Sequence, residues 1–324
     1  MPNNTRQMRR KILISESKDF NQEALTKLRD EADVLVGQLD RASLLASLSE
    51  IDVLWVRLGH RVDREVFEAG PRLRFVVTNT TGLNHVDLEE ASRRQIQVLS
   101  LQGETEFLRN VRATAEHTLA LALALVRHLP DAIADVKAGN WQRDKFRGNE
   151  LFGRTAGVLG YGRLGRIVAR YLLALEMRVI VCDPRIQELD IDKRVTVLPL
   201  RALLNEADLV TLHVSLTQDT YSFFGRREFE AMKQGAWFIN TARGELIDES
   251  ALLHALQTGK IAGAALDVLD QELCMMLRER PLISYASANS NLIITPHIGG
   301  CTTESSGKTE LFLADLLLKA LASV

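Results

Sequence analysis

The chain lacks most of the features that mark secreted, membrane-bound or nucleic-acid-binding proteins. It has three cysteines in 324 residues, Cys182, Cys274 and Cys301. Far apart and odd in number, they suggest no disulfide framework, which points to a reducing compartment and a cytoplasmic protein. None has metal-ligand spacing, so no metal site is expected. The N-terminal MPNNTRQMRRK is polar and basic, without the apolar core of a signal peptide. The apolar run over 119–126 falls far short of the roughly 20 residues that a membrane span needs. Charge of one sign is missing too. Lys and Arg number 40 against 42 Asp and Glu, a net −2, so no global field recruits nucleic acid or an anionic membrane. What remains, 46% hydrophobic and 25% charged, is an ordinary soluble composition, long enough for about two domains.

The pattern along the chain is α/β. Apolar strands are expected over 11–15, 34–36, 53–56, 75–78 and 96–99, with helices over 21–31, 41–48, 64–69 and 87–94 between them. Alternation at this pitch indicates a parallel sheet covered on both faces. Residues 113–129 are rich in Ala and Leu. Their central part alternates with period two, as a strand would, but length and alanine content favour a buried helix. Further strands are expected over 195–197, 209–213, 236–240, 264–268 and 292–294, and a last apolar helix over 310–321. The fold class is therefore α/β, with two doubly wound parallel-sheet units and no sequence repeat.

The stretch 155–183, TAGVLGYGRLGRIVARYLLALEMRVIVCD, organises the second unit. A buried-strand run leads into Gly160-Tyr161-Gly162-Arg163-Leu164-Gly165, which matches G-x-G-x-x-G. Gly160 allows the tight turn, Gly162 lets backbone approach a diphosphate, and Gly165 lets the following helix pack on the strand. Leu164, Ile167, Val168, Tyr171, Leu172 and Leu175 then form one apolar stripe on a helix. Its N-terminus presents unpaired N–H groups to an anion. Asp183 ends the next strand, where a carboxylate accepts hydrogen bonds from a ribose and repels a 2′-phosphate. NAD is the cofactor this combination predicts.

Other strand ends carry charged or small polar residues. Thr80-Thr81-Gly82-Leu83-Asn84 follows one buried strand and Arg57 another, at the edge where open α/β sheets bind ligands. In the second unit, three stretches hold Arg243, Glu272 and His297: Asn-Thr241-Ala242-Arg-Gly-Glu, Leu-Asp267-Val-Leu-Asp-Gln-Glu, and Thr-Pro-His-Ile-Gly299-Gly. Reduction of a 2-oxo acid needs a cation for the carboxylate and carbonyl, and an acid for the new alkoxide. A carboxylate beside an imidazole orients it and stabilises its charged form. Arg243, His297 and Glu272 suit those roles in that order.

Together these strings resemble the NAD-dependent D-2-hydroxyacid dehydrogenase family over nearly the whole chain. The similarity rests on Ala-Arg-Gly at Arg243, Asp-Val-x-x-x-Glu ending at Glu272, and Thr-Pro-His-Ile-Gly-Gly around His297. Thr81-Gly-Leu-Asn-His-Val-Asp87 resembles its substrate-carboxylate loop, and Ala115-Glu116-His117 the start of its interdomain helix. The resemblance implies a flavodoxin-like substrate domain of 1–103 plus 300–324, and a Rossmann NAD-binding domain of 104–299. It further implies a site in the cleft between them, hydride transfer giving a D-2-hydroxy acid, and a homodimer built on the cofactor domain. Asp267 would lie near the nicotinamide carboxamide, and His213-Val214-Ser215 beneath the adenine. Glutamate at position 272 sets aside formate dehydrogenases, which carry glutamine there. Leu273 stands where proline is frequent. Arg57 matches a substrate-side arginine of the phosphoglycerate enzymes, but Leu58-Gly59 replaces the arginine that often follows it. A phosphite or phosphonopyruvate-type oxidoreductase and a non-catalytic, NAD-sensing corepressor are the alternatives, since both resemble the same template.

Overall fold

A computed structural model describes residues 9–188, 190–272 and 279–323. The chain divides into two compact units, 1–111 with 302–324, and 112–301.

In the first unit, strands β1 (Lys11–Ile14), β2 (Asp33–Val36), β3 (Val53–Val56), β4 (Phe75–Thr78) and β5 (Gln97–Leu99) form one parallel sheet. Helices α1 (Gln22–Glu31), α2 (Arg41–Ser47), α3 (Arg64–Ala69), α4 (Leu88–Arg93) and α5 (Thr105–Leu108) follow the strands. The strand order is β2-β1-β3-β4-β5, the flavodoxin-like arrangement, whose direction reverses between β1 and β3. Short polar caps start the helices. Asn21, Asp40, Asp63 and Asp87 each accept a hydrogen bond from a backbone N–H of the first turn. β3 and β4 are buried along their whole length, which is why they read as unbroken apolar runs.

In the second unit, α6 (Ala113–Val126) and α7 (Leu129–Lys137) precede β6 (Thr155–Leu159), α8 (Arg163–Ala174), β7 (Arg178–Cys182) and β8 (Thr196–Val197). Then come α9 (Leu200–Glu206), β9 (Leu209–Leu212), α10 (Arg226–Ala231), β10 (Ala236–Asn240), α11 (Glu249–Gln257), β11 (Ile261–Leu266), α12 (Pro281–Ala288) and β12 (Leu292–Ile294). The sheet order is β12-β11-β10-β9-β6-β7-β8, all parallel, and it reverses between β6 and β9. That is a Rossmann sheet, doubly wound as expected, with its ligand edge at the carboxyl ends of the strands. Phe224, Phe229 and Phe238 pack edge-on or tilted on one side, and Ile167, Val168 and Leu172 of α8 cover the other. Each fully buried side chain of this size contributes roughly 1.5–3 kcal/mol.

The last helix, α13 (Thr303–Ala322), belongs to the first unit, where Leu313, Ala314 and Leu317 join Ala24, Leu25 and Leu28 of α1 in one core. It begins two turns earlier than the apolar pattern suggests, because Thr302 caps it and its first turns are polar. The Ala/Leu-rich segment also ends sooner. His128 adopts a left-handed conformation (φ 53°), and Pro130 then starts α7 rather than prolonging α6. β11 starts at Ile261 instead of 264, and β8 is only Thr196–Val197.

Candidate active site

The glycine loop joins β6 to α8, and each glycine has its own reason. Gly160 has φ 86°, and a Cβ there would come within 2.5 Å of the His213 carbonyl oxygen. A Cβ on Gly165 would lie 1.9 Å from the Gly160 carbonyl oxygen, so α8 cannot dock on the strand with any other residue. At Gly162 nothing lies within 4 Å of a Cβ, leaving open space over the start of α8. No side chain caps that helix, and its first turn starts beside this space, where an anion meets helix N–H groups. Asp183 is buried at the end of β7 and fixed by the backbone N–H groups of Tyr161 (2.8 Å) and Arg185 (2.8 Å). Each carboxylate oxygen keeps a further lone pair for a hydroxyl donor. These features fit a dinucleotide: N–H groups at the helix start would hold the diphosphate, and Asp183 the ribose.

His213 and Val214 come after β9, across the switch point from this loop. Burial pushes His213 down to about 3. The ring is therefore neutral, with Nε2 beside the Thr211 hydroxyl (3.0 Å) and Nδ1 unpartnered among the described residues.

Arg243, Glu272 and His297 come after β10, β11 and β12, three neighbouring strands of the same parallel sheet. Fully buried Asn240 folds the first of these turns, accepting from the Ala242 N–H (3.0 Å) and donating to the Arg243 carbonyl (2.8 Å). Thr241 is tied to Thr118 of α6 by a 2.7 Å hydroxyl pair. Gly244 then passes so close to Leu269 that a Cβ would sit 1.9 Å from its carbonyl carbon. That approach brings the Arg243 turn against the segment leading to Glu272. The Arg243 guanidinium donates to the Ala242 carbonyl (2.6 Å) and makes no ion pair among the described residues. Burial lowers its pKa, opposed by the charges of Glu245 and Glu272. A cation desolvated this far, without a paired carboxylate, is a site for an anion.

The His297 ring donates or accepts through Nδ1 at Glu272, in direct contact. Its backbone is left-handed (φ 52°), a conformation that costs energy for a residue with a side chain. Asp267 holds it there. Only 1% exposed, Asp267 accepts from the N–H groups of Ile298 (2.9 Å) and Gly299 (2.7 Å) and from the Thr295 hydroxyl (2.6 Å). His117 Nε2, from α6, lies 3.1 Å from the same carboxylate. Asp267 thus anchors the histidine turn, a job that its place in the sequence does not reveal. The segment before Glu272 is anchored as well. Glu249 accepts from the Asp270 N–H (2.8 Å), and buried Arg280 donates to the Asp270 carbonyl. Burial raises the pKa of Glu249. Sequence reasoning misses His117, Asn240, Gly244, Glu249 and Arg280 in these supporting roles. Only Gly244 carries a signal, as a glycine directly after the arginine of a strand-end turn. Leu273 and Cys274 lie outside the described residues.

In the first unit, Thr81, Gly82 and Leu83 come after β4. Their N–H groups make no hydrogen bond among the described residues, while the Thr80 hydroxyl donates to the Gly82 carbonyl (2.8 Å) and closes the turn. Arg57 comes after β3. Its guanidinium donates to the fully buried Glu310 (2.6 Å) and to the Lys18 carbonyl (2.9 Å). Among the described residues no cluster of His, Cys, Asp or Glu could hold a metal ion, and no helix is long and apolar enough to cross a membrane.

Comparison with known proteins agrees with this geometry. Residues 119–299 match the family model for the NAD binding domain of D-isomer specific 2-hydroxyacid dehydrogenases. Hydroxypyruvate reductase of Thermotoga maritima is 33% identical over 313 residues, covering 97% of this chain and 99% of that protein. D-3-phosphoglycerate dehydrogenase of Archaeoglobus fulgidus is 35% identical over 94% of this chain, which spans only 56% of that longer protein. The structure of D-lactate dehydrogenase from Aquifex aeolicus, complexed with NAD and lactic acid, superposes with a TM-score of 0.80 at 28% identity. It covers 97% of this chain and 96% of its own. By sequence, strand order and glycine loop alike, the chain belongs to the D-isomer specific 2-hydroxyacid dehydrogenase family and carries its NAD-binding domain.

Proposed function

We propose that the protein is an NAD-dependent D-2-hydroxyacid dehydrogenase that interconverts a small 2-oxo acid and its D-2-hydroxy acid. The observation that carries this reading is the arrangement on β10, β11 and β12: an arginine with no ion pair among the described residues, and a histidine held by a glutamate, on the sheet edge that bears the dinucleotide loop. NADH, when bound, supplies the hydride that C2 of the substrate accepts. Arg243 holds the substrate carboxylate and draws electron density toward the carbonyl oxygen. His297 presents Nε2, the nitrogen not engaged by Glu272, and gives its proton to that oxygen as the alkoxide forms. Glu272 fixes the ring orientation through Nδ1 and balances the imidazolium charge. Oxidation reverses each step, with neutral His297 taking the hydroxyl proton.

In the same reading the second unit is the NAD domain and the first the substrate domain, with Thr81, Gly82 and Leu83 offering N–H groups to the substrate carboxylate. Tyr161, Val214, Thr241, Ala242 and Gly299 line the cofactor side. The protein acts as a cytoplasmic homodimer without nucleic-acid or membrane partners. Exposed Leu129, Ile133, Val136 and Trp141 support the dimer, since a face this apolar is normally covered. The test is NADH consumption with glyoxylate, hydroxypyruvate and phosphohydroxypyruvate, followed by chiral analysis of the product. Consumption yielding the D-hydroxy acid supports the reading. NADH binding with no turnover of any of these acids would leave a sensor rather than an enzyme.

A further inference from the structure

The first unit's sheet presents two candidate anion sites at neighbouring strand ends, and they are in opposite states. After β4, the N–H groups of Gly82 and Leu83 make no bond among the described residues. After β3, the Arg57 guanidinium and two backbone N–H groups already have acceptors. Glu16 takes two backbone donors of the loop, the Arg57 N–H (2.6 Å) and the Gly59 N–H (2.8 Å). Glu310, with no solvent exposure, takes one guanidinium nitrogen of Arg57 (2.6 Å) and the Asn21 N–H (2.8 Å). The Lys18 carbonyl takes another guanidinium nitrogen, while the Arg57 Nε is buried without a hydrogen-bond partner among the described residues. One carboxylate thus pairs with the Arg57 guanidinium, and a second takes the Arg57 backbone N–H. A dianionic phosphate at this edge would meet a compensated cation and the field of Glu16 and Glu310.

Resting on the dehydrogenase reading above, we infer that the substrate is a 2-oxo acid whose only anionic group is its carboxylate, and that Glu310 sets this specificity by neutralising Arg57. A substrate with one carboxylate needs only the open turn after β4 on this sheet edge. A phosphorylated one needs a second cation, and the charge of Arg57 is already paired with Glu310.

The test compares hydroxypyruvate with phosphohydroxypyruvate in the intact protein and in Glu310→Gln. That variant removes the charge and keeps one acceptor oxygen, enough for either the Arg57 guanidinium or the Asn21 N–H. In the unmodified protein, kcat/KM should favour hydroxypyruvate by about tenfold or more. In Glu310→Gln, kcat/KM for phosphohydroxypyruvate should rise about tenfold while that for hydroxypyruvate stays within about twofold. A merely structural Glu310 would change both substrates together. Binding is read separately, as the rise in melting temperature produced by phosphohydroxypyruvate, expected in the variant and not in the unmodified protein. Preference of the unmodified protein for phosphohydroxypyruvate, or an unmoved substrate ratio and melting shift in the variant, would overturn the inference. If neither acid is reduced, the dehydrogenase reading fails, and the melting-temperature comparison still decides the role of Glu310.

Discussion

Arg57 and Arg243 hold equivalent places, each just past the carboxyl end of a buried parallel strand. Their surroundings differ in one respect. Arg57 reaches a buried carboxylate 2.6 Å away, whereas Arg243 makes a single bond to its own neighbour's carbonyl and no ion pair among the described residues. A strand-end arginine is therefore not a functional residue by position alone. Its counter-charge decides whether it holds the fold together or waits for an anion. His213 shows the third outcome: burial without any counter-charge removes the proton.

Four tests would break or sharpen this contrast. The largest effect is expected for His297→Ala, which should lower kcat/KM in both directions by about 10²–10⁴-fold. Steady-state rates of NADH oxidation and NAD reduction check it, and a loss confined to one direction would move the proton to another group.

Next in size is a stability effect. Arg57→Leu leaves Glu310 buried and unpaired, which should destabilise the first unit by about 3 kcal/mol. Adding Glu310→Leu should recover most of that loss. Arg243→Leu should be neutral or slightly stabilising, because it removes a desolvated cation that makes no ion pair among the described residues. Hydrogen exchange in β3 and β10 reads the two units separately, and equal losses for Arg57→Leu and Arg243→Leu would erase the distinction.

A smaller effect concerns His213. Its folded-state pKa lies near 3, below the ordinary value of 6.5, so the unfolded chain binds the extra proton between those limits. Stability should therefore fall as pH drops below 6.5, by up to about 1.4 kcal/mol per unit. His213→Asn should flatten that acid limb in denaturant titrations, and an unchanged slope would mean that other groups cause it.

The smallest shift is expected for Asp183→Ala. Losing the ribose acceptor and the repulsion of a 2′-phosphate should move the preference from NADH toward NADPH by about tenfold. Equal use of both cofactors by the unmodified protein would already contradict this role.

The glycine loop, Asp183 and the three residues proposed as catalytic can be read from the chain because each depends on residue type at the end of an apolar run. Sheet strands announce themselves by burial, and the parallel topology carries the residue after each strand to one common edge. The residues that support these groups are hidden for a physical reason. Glu310 and Arg57, or His117 and Asp267, meet only after distant segments fold, and each looks like an ordinary polar residue on its own element. Polar helix starts are equally silent, which is why the apolar pattern begins α13 at 310 and the structure begins it at Thr303. Arg280 precedes a proline and gives no hint of its contact with Asp270.

The proposed chemistry stands most directly on Arg243, and one pair of measurements on Arg243→Ala tests it. NADH affinity is read from the fluorescence of the bound dinucleotide, and turnover from hydroxypyruvate reduction. If the guanidinium meets the substrate rather than the cofactor, affinity should stay within about twofold while kcat/KM falls by about 10²–10³-fold. A parallel collapse of NADH affinity would contradict that assignment and return Arg243 to the cofactor site.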